Sequence, residues 1–150
     1  MNTEQGMALL RDVDAIRRGL IHLQGGPQNW TTKSYAHTVF NGHAVYGTQE
    51  VFGLALSNPA SPCGTCMLGA GFFGRFLQAP EAYGGSYSTE ALMERAFRRL
   101  GSRGNIPSFN DEEGRTYAEA LVMYEAIYHN ILDHHGIPRD WYKEDEPCSA

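Results

Sequence analysis

The hydrophobic positions at the start of the chain repeat with the pitch of a helix. Over residues 7–24, Leu9, Val13, Ile16, Leu20 and Leu23 recur at spacings of four, three, four and three, which lays them along one face. Arg11, Asp14, Arg17 and Arg18 fall on the other faces, and Gly25-Gly26-Pro27 supplies a glycine cap and a proline stop. His22 lies beside the apolar stripe and reads as a half-exposed helix residue, not a ligand. The pattern then shortens. Two β-rich runs, Tyr35 to Phe40 and His43 to Tyr46, flank Asn41-Gly42. Asn-Gly supplies the positive φ angles of a tight primed turn, so the stretch predicts a hairpin over 35–46. Trp30 precedes it as an anchor to the helices. His37 and His43 could face each other across the hairpin, although two imidazoles alone do not define a metal site. Val51 to Leu56 is too short an apolar run to assign to strand or helix.

A turn-rich connector, Ser57 to Pro62, leads into Cys63-Gly64-Thr65-Cys66-Met67-Leu68-Gly69-Ala70-Gly71-Phe72-Phe73-Gly74-Arg75-Phe76. Pro62 reads as the rigid lead-in to a helix. Gly69, Gly71 and Gly74 each weaken that helix by roughly 1 kcal/mol relative to alanine. Three such penalties imply that the missing side chains let another backbone approach, which marks this as the central, buried helix. Ala79 to Ser88 reads as an exposed loop, after which Ser88 or Thr89 caps a helix over Glu90 to Leu100. Arg95, Arg98 and Arg99 sit at its C-terminal end as a solvated basic end or an anion site. Ile106 to Thr116 is punctuated as a loop, and Thr116 with Glu119 forms a capping box for a helix from Tyr117 to about His135. Leu121, Tyr124, Ile127 or Tyr128, and Ile131 supply its inner face, and Gly136 and Pro138 end it. Residues 139–150 read as an acidic tail that docks its aromatics and then frays. The sum is a mainly α fold, about four packed helices with a small inserted β-hairpin, in one domain over 1–150.

Composition narrows the function classes. At 150 residues, 42% hydrophobic and 19% charged, the chain can bury an ordinary core. Its formal net charge of −5 and scattered lysines and arginines disfavour direct binding to a nucleic-acid backbone. No apolar run approaches a membrane span, and Met1 to Gln5 lacks a basic signal-like region. Three cysteines without a signal point to free thiols in a reducing compartment, hence the cytoplasm.

The order of motifs adds to this. Trp30, a hairpin around Gly42, Cys66-Met67-Leu68-Gly69-Ala70, and Phe109-Asn110-Asp111 with Gly114-Arg115-Thr116 ahead of a last helix follow one another. The arrangement resembles a domain-of-unknown-function family common in actinobacteria and their phages. That family's usual pattern is Trp-Cys-x-x-Gly-Ala in the middle and Trp-Asn-Asp, then Gly-Arg-Thr, near the end. Here Thr65 stands where the first tryptophan precedes the cysteine, and Phe109 replaces the second. The likeness spans roughly residues 7–132. It implies a helical fold and a phage or actinobacterial origin, and it implies no activity.

Three readings fit the Cys63-Gly64-Thr65-Cys66 spacing. Thiols at a helix N-terminus can serve dithiol or nucleophilic chemistry, with Cys66 the catalytic candidate. Such a nucleophile would need a histidine base and an orienting residue such as Asn110 or Asp111. Alternatively Cys63 and Cys66 join His129 and His134 or His135 around zinc, the one cofactor the sequence allows for. The third reading makes Cys66 a small buried residue packed under the last helix. Asn110, Asp111 and Arg115 read as turn, cap and ion-pair residues, or as a site for a phosphate or carboxylate. Tyr83, Tyr87, Trp141 and Tyr142 are candidate aromatic contacts for a protein partner. The expectation is a non-enzymatic cytoplasmic binding protein, an accessory or host-modulating factor. A cysteine-dependent enzyme and a zinc-stabilised module are the alternatives.

Overall fold

The computed structural model describes residues 2–58, 63–83 and 87–142. In chain order the elements are α1 (Thr3–Gln24), β1 (Ala36–Phe40), β2 (His43–Val45), α2 (Thr48–Ser57), β3 (Gly64–Thr65), α3 (Met67–Gln78), α4 (Tyr87–Arg99), α5 (Ile106–Asn110) and α6 (Tyr117–His134). Short 3-10 turns occur at Pro27–Asn29 and Pro80–Ala82. The fold is mainly helical with a small antiparallel sheet, ordered β2-β1-β3. It has more helices than expected because Val51 to Leu56 lies in α2 and Ile106 to Asn110 forms α5. The undecided run buries Val51 and Phe52. The expected loop coils because Asn105 caps Ser108 N–H at 2.9 Å and Pro107 sits in the first turn.

Helix α3 is the axis of the molecule. Met67 through Gly74 and Phe76 are all buried. Its glycines mark where other elements press on it. A Cβ at Gly74 would lie 1.9 Å from the Ala15 carbonyl oxygen of α1, and one at Gly69 would lie 1.8 Å from the Tyr35 carbonyl oxygen. One at Gly71 would meet Met93 Sδ of α4 at 2.8 Å. Helix α1 answers with its own gap at Gly19, where a Cβ would stand 2.6 Å from the Ala70 carbonyl oxygen. The Tyr124 hydroxyl of α6 fills the neighbouring space and donates to the Ile16 carbonyl at 2.7 Å. Close backbone approach is thus what the helix gains in exchange for its low propensity.

Helix α1 begins earlier than its apolar stripe because Asn2 and Gln5 form a reciprocal capping box. The hairpin turns at Asn41 and Gly42, with φ of 51° and 79°, the primed geometry its dipeptide demands. Its register pairs Thr38 with Val45, Val39 with Ala44 and Phe40 with His43. His37 and His43 therefore do not meet. Side chains alternate across a strand, so His37 lies on the face opposite Phe40 and its partner His43. The His37 ring instead packs on Tyr46, with centroids 5.0 Å apart. Strand β3 is two residues long and pairs Thr65 with Ala36 and Gly64 with His37; Trp30 bridges its other side.

Ser88 and Thr89 do not cap α4. Both lie in its first turn and donate to Asp12 Oδ1, at 3.0 and 2.9 Å. Helix α6 starts with the expected Thr116–Glu119 box. It ends in a Schellman motif, with Gly136 at φ 68° and Ile137 N–H bonded to the Leu132 carbonyl at 2.8 Å. The tail docks as far as it is described: Trp141 Nε1 donates to the Tyr128 hydroxyl at 2.8 Å, and Arg17 lies 3.5 Å over the Tyr142 ring. Pro62, Gly84, Gly85 and residues 143–150, Cys148 among them, lie outside the described residues.

Candidate functional site

The motif residues that lie far apart in sequence converge at the N-terminus of α3. Asn110 is fully buried. Its Oδ1 accepts from Trp30 Nε1 at 2.8 Å and from Met67 N–H at 3.0 Å. Its Nδ2 donates to the Thr31 carbonyl at 3.1 Å and to Asp111 Oδ1 at 2.9 Å. Every hydrogen-bonding position of the amide is occupied, so Asn110 fastens α5 to α3 and to the segment after α1 and has nothing left for a ligand. Asp111 Oδ1 also accepts the Lys33 main-chain N–H at 2.8 Å. That bond holds Lys33 at φ 65°, a left-handed conformation rare for residues with side chains.

Cys66 caps α3. Its Sγ accepts from Gly69 N–H at 3.3 Å. Burial raises the thiol pKa to about 11, against the lowering effect of the Gly69 and Leu68 N–H groups, and the Asp111 carboxylate pushes it further up. Burial raises Cys63 to about 12. At neutral pH a thiol with a pKa near 11 is ionised in only about one molecule in ten thousand. No described histidine is hydrogen-bonded to the Cys66 sulfur, so the nucleophile reading has neither thiolate nor base. Dithiol exchange lacks its thiolate for the same reason.

The zinc set is not assembled. Among the described residues no three histidine, cysteine or acidic side chains group as metal ligands. Cys63 and Cys66 are buried, while His134 is exposed at the end of α6 against His135, with ring centroids 5.0 Å apart. Residues five apart on a helix point about 140° away from each other, so His129 and His134 cannot close on one ion.

Arg115 is spoken for. Its guanidinium lies 3.7 Å over the Phe109 ring and its Nε donates to the Phe109 carbonyl at 2.8 Å. The remaining nitrogens pair with Glu112 and Glu119. The anion-site reading thereby loses its cation. Of the four proposed aromatic contacts, Tyr83 is half-buried against Phe52 and Phe76, and Trp141 is packed against the core. Tyr87 is 87% exposed, and Tyr142 keeps 43% of its surface.

Above Cys66 a cavity of about 390 Å³ opens, lined by Lys33, Ser34, Tyr35, Tyr46, Cys66, Pro107 and Asp111. The Tyr35 ring leans on Phe72 at 5.3 Å between centroids. Partial burial raises the Tyr35 phenol, with Glu90, Cys66 and Glu94 adding to it. Tyr46 stands at the open end of β2 and is 60% exposed. Lys33, Tyr35 and Tyr46 were not among the residues singled out in the sequence. The Asn-Gly turn carries the signal, since its register pairs Thr38 with Val45 and so brings Tyr46 onto the His37 ring.

No family model, curated protein or solved structure matches the chain. Among the described residues no helix is long and apolar enough to cross a membrane.

Proposed function

We propose that the chain is a non-enzymatic binding protein that engages a protein partner through its exposed β-hairpin. The observation that carries this reading is a run of exposed apolar and aromatic side chains on a very short sheet. Tyr35, Val39, Phe40 and Tyr46 are 46%, 54%, 45% and 60% exposed. Val39 and Phe40 lie at the turn end of the hairpin and Tyr35 and Tyr46 at its open end, and β2 is an edge strand. Exposed aromatics clustered at an edge are what a partner's core contacts require. Tyr87 is a further anchor of the same chemistry. Membership of the actinobacterial and phage family, with a host-directed accessory role, belongs to the same proposal. It is supported by the way Trp30, Cys66, Gly69, Asn110 and Asp111 all meet at one junction. The free thiols Cys63 and Cys66 favour the cytoplasm as the place of action.

The test is capture from actinobacterial lysate with the wild-type chain, Val39→Lys, Tyr46→Ser and Tyr87→Ser, read by mass spectrometry. A partner held by the wild type and lost with the hairpin variants supports the reading. Identical capture by wild type and both hairpin variants contradicts it.

A further inference from the structure

The cavity beside Cys66 is lined by two residues of opposite charge that do not pair with each other. Lys33 and Asp111 both line it. Their link is the Lys33 main-chain N–H to Asp111 Oδ1, not an ammonium–carboxylate pair. Among the described residues, the ion pairs formed by lysine or arginine involve Arg17, Arg18, Arg115 and Arg139, so neither Lys33 nor Asp111 is compensated. Asp111 Oδ1 takes both of that carboxylate's bonds, leaving Oδ2 without a donor among the described residues. Lys33 also occupies a left-handed backbone position, at φ 65°, where glycine is the default residue. What a lysine contributes there and a glycine cannot is its ammonium. Ser34, Tyr35, Tyr46, Pro107 and Cys66 complete the lining. The volume of about 390 Å³ falls in the range of small-molecule sites.

We propose that this cavity binds a small zwitterion of the α-amino-acid type with an apolar or aromatic side chain. Its ammonium sits by Asp111, its carboxylate by Lys33, and its side chain between the Tyr35 and Tyr46 rings. This goes beyond the protein-binding reading: it shares Tyr35 and Tyr46 with it but rests on the Lys33–Asp111 cavity.

Calorimetric titration of the full chain with L-phenylalanine, N-acetyl-L-phenylalanine and L-phenylalaninamide tests the proposal. Phenylalanine is expected to bind saturably, and each blocked derivative about tenfold or more weakly, because each leaves one charge unmatched. Two variants assign the ends. Lys33→Gly suits the left-handed backbone and removes the ammonium, so it abolishes discrimination against the amide while keeping that against the acetylated compound. Asp111→Asn keeps the Oδ1 acceptor and removes the charge, so it does the reverse. Absence of saturable binding by phenylalanine, tyrosine and leucine alike overturns the proposal. So does discrimination that is unchanged in both variants. A failed lysate capture alongside successful titration sinks only the partner reading.

Discussion

His22 shows how a single side chain ties the fold to pH. Burial lowers its pKa to about 4, against hydrogen bonding with the Cys63 and Asn29 backbone, and Nε2 has no partner among the described residues. Its ring packs edge-on against Phe73 at 4.8 Å. The folded state keeps the imidazole neutral while the unfolded chain protonates it near pH 6.5. The stability this neutral histidine contributes is therefore present above pH 6.5 and is lost as pH falls, reaching about 3 kcal/mol near pH 4. Urea unfolding at pH 7 and pH 4.5 should show a smaller loss for His22→Gln than for wild type. An equal loss in both would remove His22 from the account. The sequence placed His22 beside the apolar stripe but gave no sign that α3 would cover it. Asn110 is a second case. Asn110→Asp removes both donors and sets a carboxylate against the Thr31 carbonyl and Asp111. It should cost about 3 kcal/mol in urea unfolding. A change under 1 kcal/mol, on the order of an exposed substitution, would contradict the latch. As a residue in a Gly/Asn/Asp-rich stretch, Asn110 looked like turn chemistry, because burial by partners about 80 residues away leaves no local trace.

At the scale of elements, the glycines separate two kinds of position. Gly69 and Gly74 of α3 would each push a methyl to within 2 Å of a backbone oxygen. Gly69→Ala and Gly74→Ala should each destabilise by 3 kcal/mol or more, roughly the upper end of overpacking effects. Gly6 in α1 has nothing within 4 Å, so Gly6→Ala should stabilise by about 0.5–1 kcal/mol. Thermal melts of the three variants decide it, and equal shifts would show that α3 is not tightly gripped. The role of these glycines was legible because a helix that repeatedly sacrifices propensity needs a reason. The α1 stripe, the Asn-Gly hairpin and the Thr116–Glu119 cap were legible for a similar reason: each is a local pattern with one physical solution. Strand β3 was not, since two residues carry no periodicity. Nor was α5, whose Pro and Asn also spell a turn.

At the scale of the whole molecule, the reactive-looking chemistry and the open surface fall on different groups. The two described thiols are buried, which pushes both pKa values up, and Cys66 is spent as the cap of α3. The cavity above it is lined by Lys33 and Asp111, and the hairpin exposes Tyr35, Phe40 and Tyr46. Sequence reading reached Cys66 and Asp111 but not Lys33, Tyr35 or Tyr46, which become neighbours only once the hairpin register and α5 are in place. The most direct measurement is the pH profile of Cys66 alkylation by iodoacetamide on the folded chain, resolved by site with mass spectrometry. The expected result is an apparent pKa near 11, and a rate at pH 7.5 at least about a hundredfold below that of an ordinary exposed cysteine. Rapid alkylation at neutral pH with an apparent pKa below about 8 would contradict it and return Cys66 to the role of nucleophile.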